Sequence, residues 1–95
     1  MPAYVIATIQ VTDPEKYKAY TARTPAAIAQ YGGKFLARGG EVVVLEGDAP
    51  AGRIVLVEFP SLDQARAWYY SSEYQEIRPL RLAAATGSLF AVAGV

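Results

Sequence analysis

Residues 53–81 read RIVLVEFPSLDQARAWYYSSEYQEIRPLR. Arg53 to Phe59 is a short apolar run of strand length, bounded by Gly52 and Pro60, and it ends in one carboxylate, Glu58. Ser61 with Gln64 forms a capping box, so a helix starts directly after the strand and runs through Tyr69 or Tyr70, burying Leu62, Ala65 and Tyr69. Ser71-Ser72 interrupts it, and a second helix is expected from about Glu73 to Leu82, shortened or bent by Pro79. A strand followed by a capped helix pair, with polar side chains gathered at the join, is a scaffold that brings polar groups to the rim of a pocket.

Working outward, Tyr4 to Val11 is rich in β-branched residues. One face carries Val5, Ala7, Ile9 and Val11, the other Tyr4, Ile6, Thr8 and Gln10. Both are apolar near the middle, which predicts a central strand covered on both sides. Asp13-Pro14 caps and opens a helix in which Tyr17, Tyr20, Thr24, Ile28 and Tyr31 recur at helical spacing. Pro25 predicts a kink or a restarted turn, and Gly32-Gly33 the helix end. Lys34 to Glu46 reads as one strand, bent or bulged at Gly39-Gly40, and Gly47 to Gly52 as a hairpin loop. Ala83 to Gly87 reads as a small-residue connector before a last strand, Ser88 to Ala93. The order βαββαβ predicts an α+β, ferredoxin-like fold over residues 1–95: a four-stranded antiparallel sheet with helices on one face.

The chain has 95 residues, and 53% of them are hydrophobic. A chain this short cannot hide so much apolar surface within itself, so burial between subunits is expected. The bare face of the sheet invites a second copy of the sheet, giving a homodimer. Nine basic and nine acidic residues balance, with no basic stripe, which argues against a nucleic-acid partner. No apolar run is long enough for a bilayer, and the start reads as a strand and not as a signal peptide, so a cytoplasmic location is expected. With no histidine and no cysteine, thiolate, disulfide and most metal chemistry is excluded; neither a metal nor a cofactor is expected.

The run Gly32-Gly33-Lys34-Phe35-Leu36-Ala37-Arg38-Gly39-Gly40 resembles a motif of the family called domain of unknown function 1330. Leu45-Glu46-Gly47, Glu58-Phe59-Pro60-Ser61, Ala67-Trp68-Tyr69, Ser72-Glu73-Tyr74-Gln75 and Arg78 with Arg81 extend the resemblance over essentially the whole chain. It implies a dimeric α/β barrel of the ferredoxin-like superfamily, with two sheets packed face to face. It implies no activity. Related families include cofactor-independent monooxygenases, muconolactone isomerases, polyketide cyclases and haem-degrading enzymes. Haem members usually need an axial histidine, which this chain lacks.

Candidate site residues follow from chemistry. Glu58 is the candidate acid/base, since partial burial raises a carboxyl pKa; its structural alternative is an ion pair with an arginine. Tyr69 and Tyr74 are candidate oxyanion donors, and Trp68 a candidate ligand wall, against the alternative of aromatic packing. Arg38, Arg78 and Arg81 are candidate anion anchors, against roles at the dimer seam or in surface pairs with Glu73, Glu76 or Asp48. Without histidine, Ser71 and Ser72 are better helix caps than nucleophiles. Two functions are expected. The first is a cofactor-independent isomerase, cyclase or monooxygenase acting on a small acidic or aromatic metabolite. The second is a non-catalytic homodimeric binding or assembly module.

Overall fold

A computed structural model describes residues 1–95. The elements are β1 (Ala3–Val11), α1 (Pro14–Gln30), β2 (Lys34–Arg38), β3 (Arg53–Phe59), α2 (Leu62–Tyr69), α3 (Ser72–Ala84) and β4 (Ala85–Ala93). The strands form one antiparallel sheet in the order β2-β3-β1-β4, with β1 and β3 central. This is the expected α+β, ferredoxin-like topology. No helix is long and apolar enough to cross a membrane.

The alternation read from β1 sets the two faces. Val5, Ala7 and Ile9 stand opposite Val57, Val55 and Arg53 of β3, on the side covered by the helices. There Phe59, Trp68, Tyr74 and Ile77 are almost wholly buried and form the centre of the core. Three helix starts are capped as their sequences dictate: Asp13, Ser61 and Ser71 accept from Lys16, Gln64 and Tyr74 backbone amides. Gly32 ends α1 with φ +81°, a conformation that a Cβ would strain.

Five expectations are corrected. The strand foreseen from Lys34 to Glu46 stops at Arg38: Gly39 turns away with φ +72°, its N–H still donating to Ile54 O at 2.9 Å. Glu41–Glu46 then runs outside any strand, with Val43 and Leu45 70% and 89% exposed, because the chain offers those residues no strand to pair with. The β-bulge falls at Leu36 and not at the glycines. Pro25 starts no new turn in α1 and Pro79 does not shorten α3, since each helix runs on through its proline. The carbonyls each leaves without an amide, four residues back, belong to Thr21 and Gln75, both exposed to solvent.

In the fourth correction, α3 continues to Ala84 and β4 starts at Ala85, well before Ser88. Small side chains let this joint approach the end of β1, where Ala84 O accepts from Thr12 and Asp13 amides at 2.8 and 3.0 Å. Finally, α2 buries Ala65 and Trp68, while Leu62 and Tyr69 are only half-buried.

The other face of the sheet is bare. A row of Leu56, Ile6 and Phe90 crosses three strands, and Phe90 and Val92 are about half exposed. The chain exposes 5850 Å², against roughly 5,300 Å² for a folded monomer of this mass. Phe59→Ala empties the core centre and is expected to cost about 3–5 kcal/mol in urea unfolding; a loss below about 1 kcal/mol would show that the core lies elsewhere.

Candidate functional site

The first helix packs most closely on the third, while its Tyr17, Tyr20, Ala27 and Ile28 share one core with the sheet. The hydroxyls of Tyr20 on α1 and Tyr74 on α3 meet at 2.9 Å in the interior, and Arg81 Nε donates to Tyr74 Oη at 3.3 Å. Arg81 is 8% exposed and faces no carboxylate within ion-pair distance. Tyr74 also packs against Trp68 and Tyr69, with ring centroids 4.4 and 5.4 Å away. These contacts join α1 to α3 through one aromatic cluster that also takes in α2.

A cavity of about 390 Å³ fills the gap, within the roughly 300–1,000 Å³ common for small-molecule sites. Eleven of its sixteen lining residues are hydrophobic. Val5, Ala7 and Ile9 of β1 with Val55 and Val57 of β3 form the floor, and Tyr17, Tyr20, Thr24 and Ile28 of α1 the roof. Phe35 and Arg38 of β2 stand at the sheet-edge side, and Arg53 and Trp68 complete the polar lining. No carboxylate takes part.

The Leu36 bulge decides where Arg38 goes. Phe35 pairs with Val57 and Ala37 with Leu56, so two residues of β2 advance against one of β3. The slip turns Arg38 to the helix side, opposite Val55, where its guanidinium lies 4.4 Å from the Phe35 ring centre. Arg53 reaches the same side by plain alternation with Val55, Val57 and Phe59. Its guanidinium lies 5.7 Å from the Tyr17 ring centre, and a Cβ at Gly39 would come within 2.7 Å of its Nη2. Arg53 Nε and Trp68 Nε1 are both buried without an acceptor.

Of the residues singled out in the sequence, Arg38 and Trp68 line this cavity. Glu58 does not. It stands on the bare face opposite Tyr4 and Lys34, with its carboxylate 3.2 Å from Lys34 Nζ. The expected convergence of Glu58 with the tyrosines and arginines is therefore absent, because strand alternation sends it through to the far side of the sheet. Tyr74 and Arg81 reach the cavity only through Tyr20. Tyr69 lies beneath the Arg78 guanidinium, 5.9 Å from ring centre to carbon, and Arg78 Nε is buried without a partner. Neither arginine pairs with Glu73, Glu76 or Asp48. Glu73 instead accepts from Gln30, Tyr31 and Ser72, and hydrogen bonds from Ser72 and then Tyr31 lower its carboxyl pKa. Ser71 caps α3 and donates to Trp68 O at 2.6 Å. Arg53 was not singled out, although its place in the period-two series with Val55, Val57 and Phe59 is a signal that it shares their buried face.

Burial, reinforced by Tyr74, pushes the Tyr20 hydroxyl far above its usual range. Burial raises Tyr17 as well, with Arg53 and Arg81 pulling the other way. The unfolded chain releases the Tyr20 proton near pH ~10, whereas the folded chain retains it. The stabilisation is complete below about pH 10 and is lost as pH rises toward the folded value. Tyr20→Phe removes this titration. It should cost about 1–2 kcal/mol at neutral pH, for the lost hydrogen bond, and then lose less further stability than the parent between pH ~10 and ~11.5. Urea midpoints across that range test this; equal alkaline slopes for the two proteins would refute it.

Solved structures share this architecture. A protein of unknown function from Rhodopseudomonas palustris aligns at TM-score 0.80 and 20% identity, over 99% of this chain and 82% of that one. SnoaB, a cofactor-independent oxygenase from Streptomyces nogalater, aligns at TM-score 0.70 and 16% identity, over 99% and 93%. A dimeric protein of unknown function with a ferredoxin-like fold, from Bacteroides fragilis, aligns at TM-score 0.56 and 14% identity, over 98% and 95%. Likeness at these identities shows a common fold. No curated protein matches the chain. The profile of one family matches residues 2–95, and the chain belongs to that family, described as Domain of unknown function (DUF1330).

Proposed function

We propose that this protein binds a small, largely apolar aromatic metabolite in the cavity beneath α1, and transforms it without a cofactor. One observation carries the reading: an apolar cavity of about 390 Å³ has two buried donors in its lining, Arg53 Nε and Trp68 Nε1, that no group of the chain satisfies. Buried donors seldom go without an acceptor, and a ligand oxygen provides one.

Among the reaction classes considered, oxygenation suits this lining best. A cyclase or isomerase needs a placed acid/base, and no carboxylate lines the cavity. An electron-rich phenol or enol supplies its own two-electron reduction: one atom of O₂ enters the product, the other leaves as water, and the substrate carbon is oxidised. The protein then contributes a dry pocket and donors aimed at the developing oxyanion, with Trp68, Arg53 and Arg38 in those roles. Tyr74 and Arg81 act as positioning residues by holding Tyr20. SnoaB, of the same fold, is a cofactor-independent oxygenase, which supports the reading by analogy of fold alone. Glu58 serves the Lys34 ion pair on the far side.

The test is dissolved-oxygen consumption with a panel of anthrones and hydroquinones, together with binding by calorimetry. Ala7→Phe projects a ring into the cavity and should abolish binding and turnover, while Glu58→Gln should change both less than twofold. The reverse pattern would move the site to Glu58. Binding without turnover across the panel would favour the second reading, a non-catalytic binding module.

The bare face supports a homodimer packed sheet to sheet. It carries the row of Leu56, Ile6 and Phe90, and the neighbour from Bacteroides fragilis is dimeric. Light scattering should give twice the chain mass at micromolar concentration, and Ile6→Asp should halve it. A monomeric parent would refute the dimer.

A further inference from the structure

We infer that the ligand is a planar apolar anion whose charged oxygen seats against Arg53, with Arg38 closing the mouth of the cavity. This rests on the cavity reading above and adds the charge and orientation of what enters. Every other inward residue of β3 is apolar: Val55, Val57 and Phe59. An arginine in that row sets a cation at the end of a low-polarity wall, the residue half-buried and its Nε wholly so, and a guanidinium cannot shed its proton to relieve the cost.

The surroundings make room for the charge without neutralising it. Gly39, at φ +72°, leaves the space beside Nη2 that a side chain would fill, and the Tyr17 ring flanks the guanidinium. Arg53 Nε has no acceptor. The four ion pairs of the molecule use Lys18, Arg23, Lys34 and Arg66, and none lies in the cavity lining. The Leu36 bulge then brings a second unpaired guanidinium, Arg38, to the same face. A bulge costs ladder regularity, and here its effect is to aim a cation at the cavity. Two cations, one indole N–H and no carboxylate around an apolar volume are complementary to an aromatic carboxylate or an ionised phenol, in which flat hydrocarbon ends in a negative oxygen. The same arrangement repels ammonium compounds and leaves neutral aromatics without their strongest contact.

The test compares 2-naphthoate with 2-naphthamide, its neutral isostere, by calorimetry on the full chain at neutral pH. The parent should bind the carboxylate about tenfold or more tightly than the amide, the usual advantage of a charge-assisted hydrogen bond. Arg53→Met should bring that ratio close to one by weakening the carboxylate more than the amide, with its urea midpoint showing that the chain remains folded. Arg53→Lys should retain part of the preference. Equal affinity for the two probes in the parent, or an unchanged ratio in Arg53→Met, would overturn the anion assignment and leave the cavity reading standing. Failure of both probes to bind the parent would overturn the cavity reading and this inference with it. If Arg53→Met does not fold, the ratio measured on the parent still decides the matter.

Discussion

The hydrogen bond between Tyr20 and Tyr74 is the contact on which the interior turns. Helices in small α+β proteins usually lie flat on their sheet, because any gap forfeits dispersion and apolar burial. Here two phenol rings meet edge to face, with centroids 6.3 Å and hydroxyls 2.9 Å apart, which joins α1 to α3 at a fixed spacing. Arg81 locks the arrangement from the side of α3. Tyr20 also lines the cavity, so the contact that joins the two helices borders the apolar volume between α1 and the sheet.

A protein with so small a core pays for such a volume elsewhere. Phe59, Trp68, Tyr74 and Ile77 concentrate the tight packing under α2 and α3. The molecule therefore divides into a dense half and a hollow half. The second crossover, capped by Ser61 and Ser71, belongs to the dense half. The first, with two prolines in or at the start of its helix, belongs to the hollow half. On that side the cavity is bordered by the short edge strand β2, through Phe35 and Arg38, and by Thr21 and Pro25 of α1.

How much of this was legible depended on whether a local pattern decided it. Alternation in Tyr4–Val11 and Arg53–Phe59 assigned the strands and their faces, and Ser61, Ser71 and Asp13 announced the helix starts, because capping acts over three residues. The ferredoxin-like order followed from those elements. The Leu36 bulge left no mark in residue type, since it comes from how β2 meets β3, so the side taken by Arg38 was not legible. Glu58 looked functional because it closes an apolar strand, yet alternation with Ile54 and Leu56 already placed it opposite the inward series. The same rule pointed to Arg53. Glu41–Glu46 has strand composition and no strand, since pairing is a property of neighbours and not of the segment.

That segment has a consequence beyond this fold. Val42 to Leu45 is an exposed run of high β-propensity beside an edge strand, the composition from which cross-β stacking starts. It is bracketed by Glu41 and Glu46. In an in-register stack these carboxylates would lie above one another about 4.8 Å apart, and their repulsion opposes growth. Charges flanking an exposed apolar run are the usual sequence device against its stacking on identical copies.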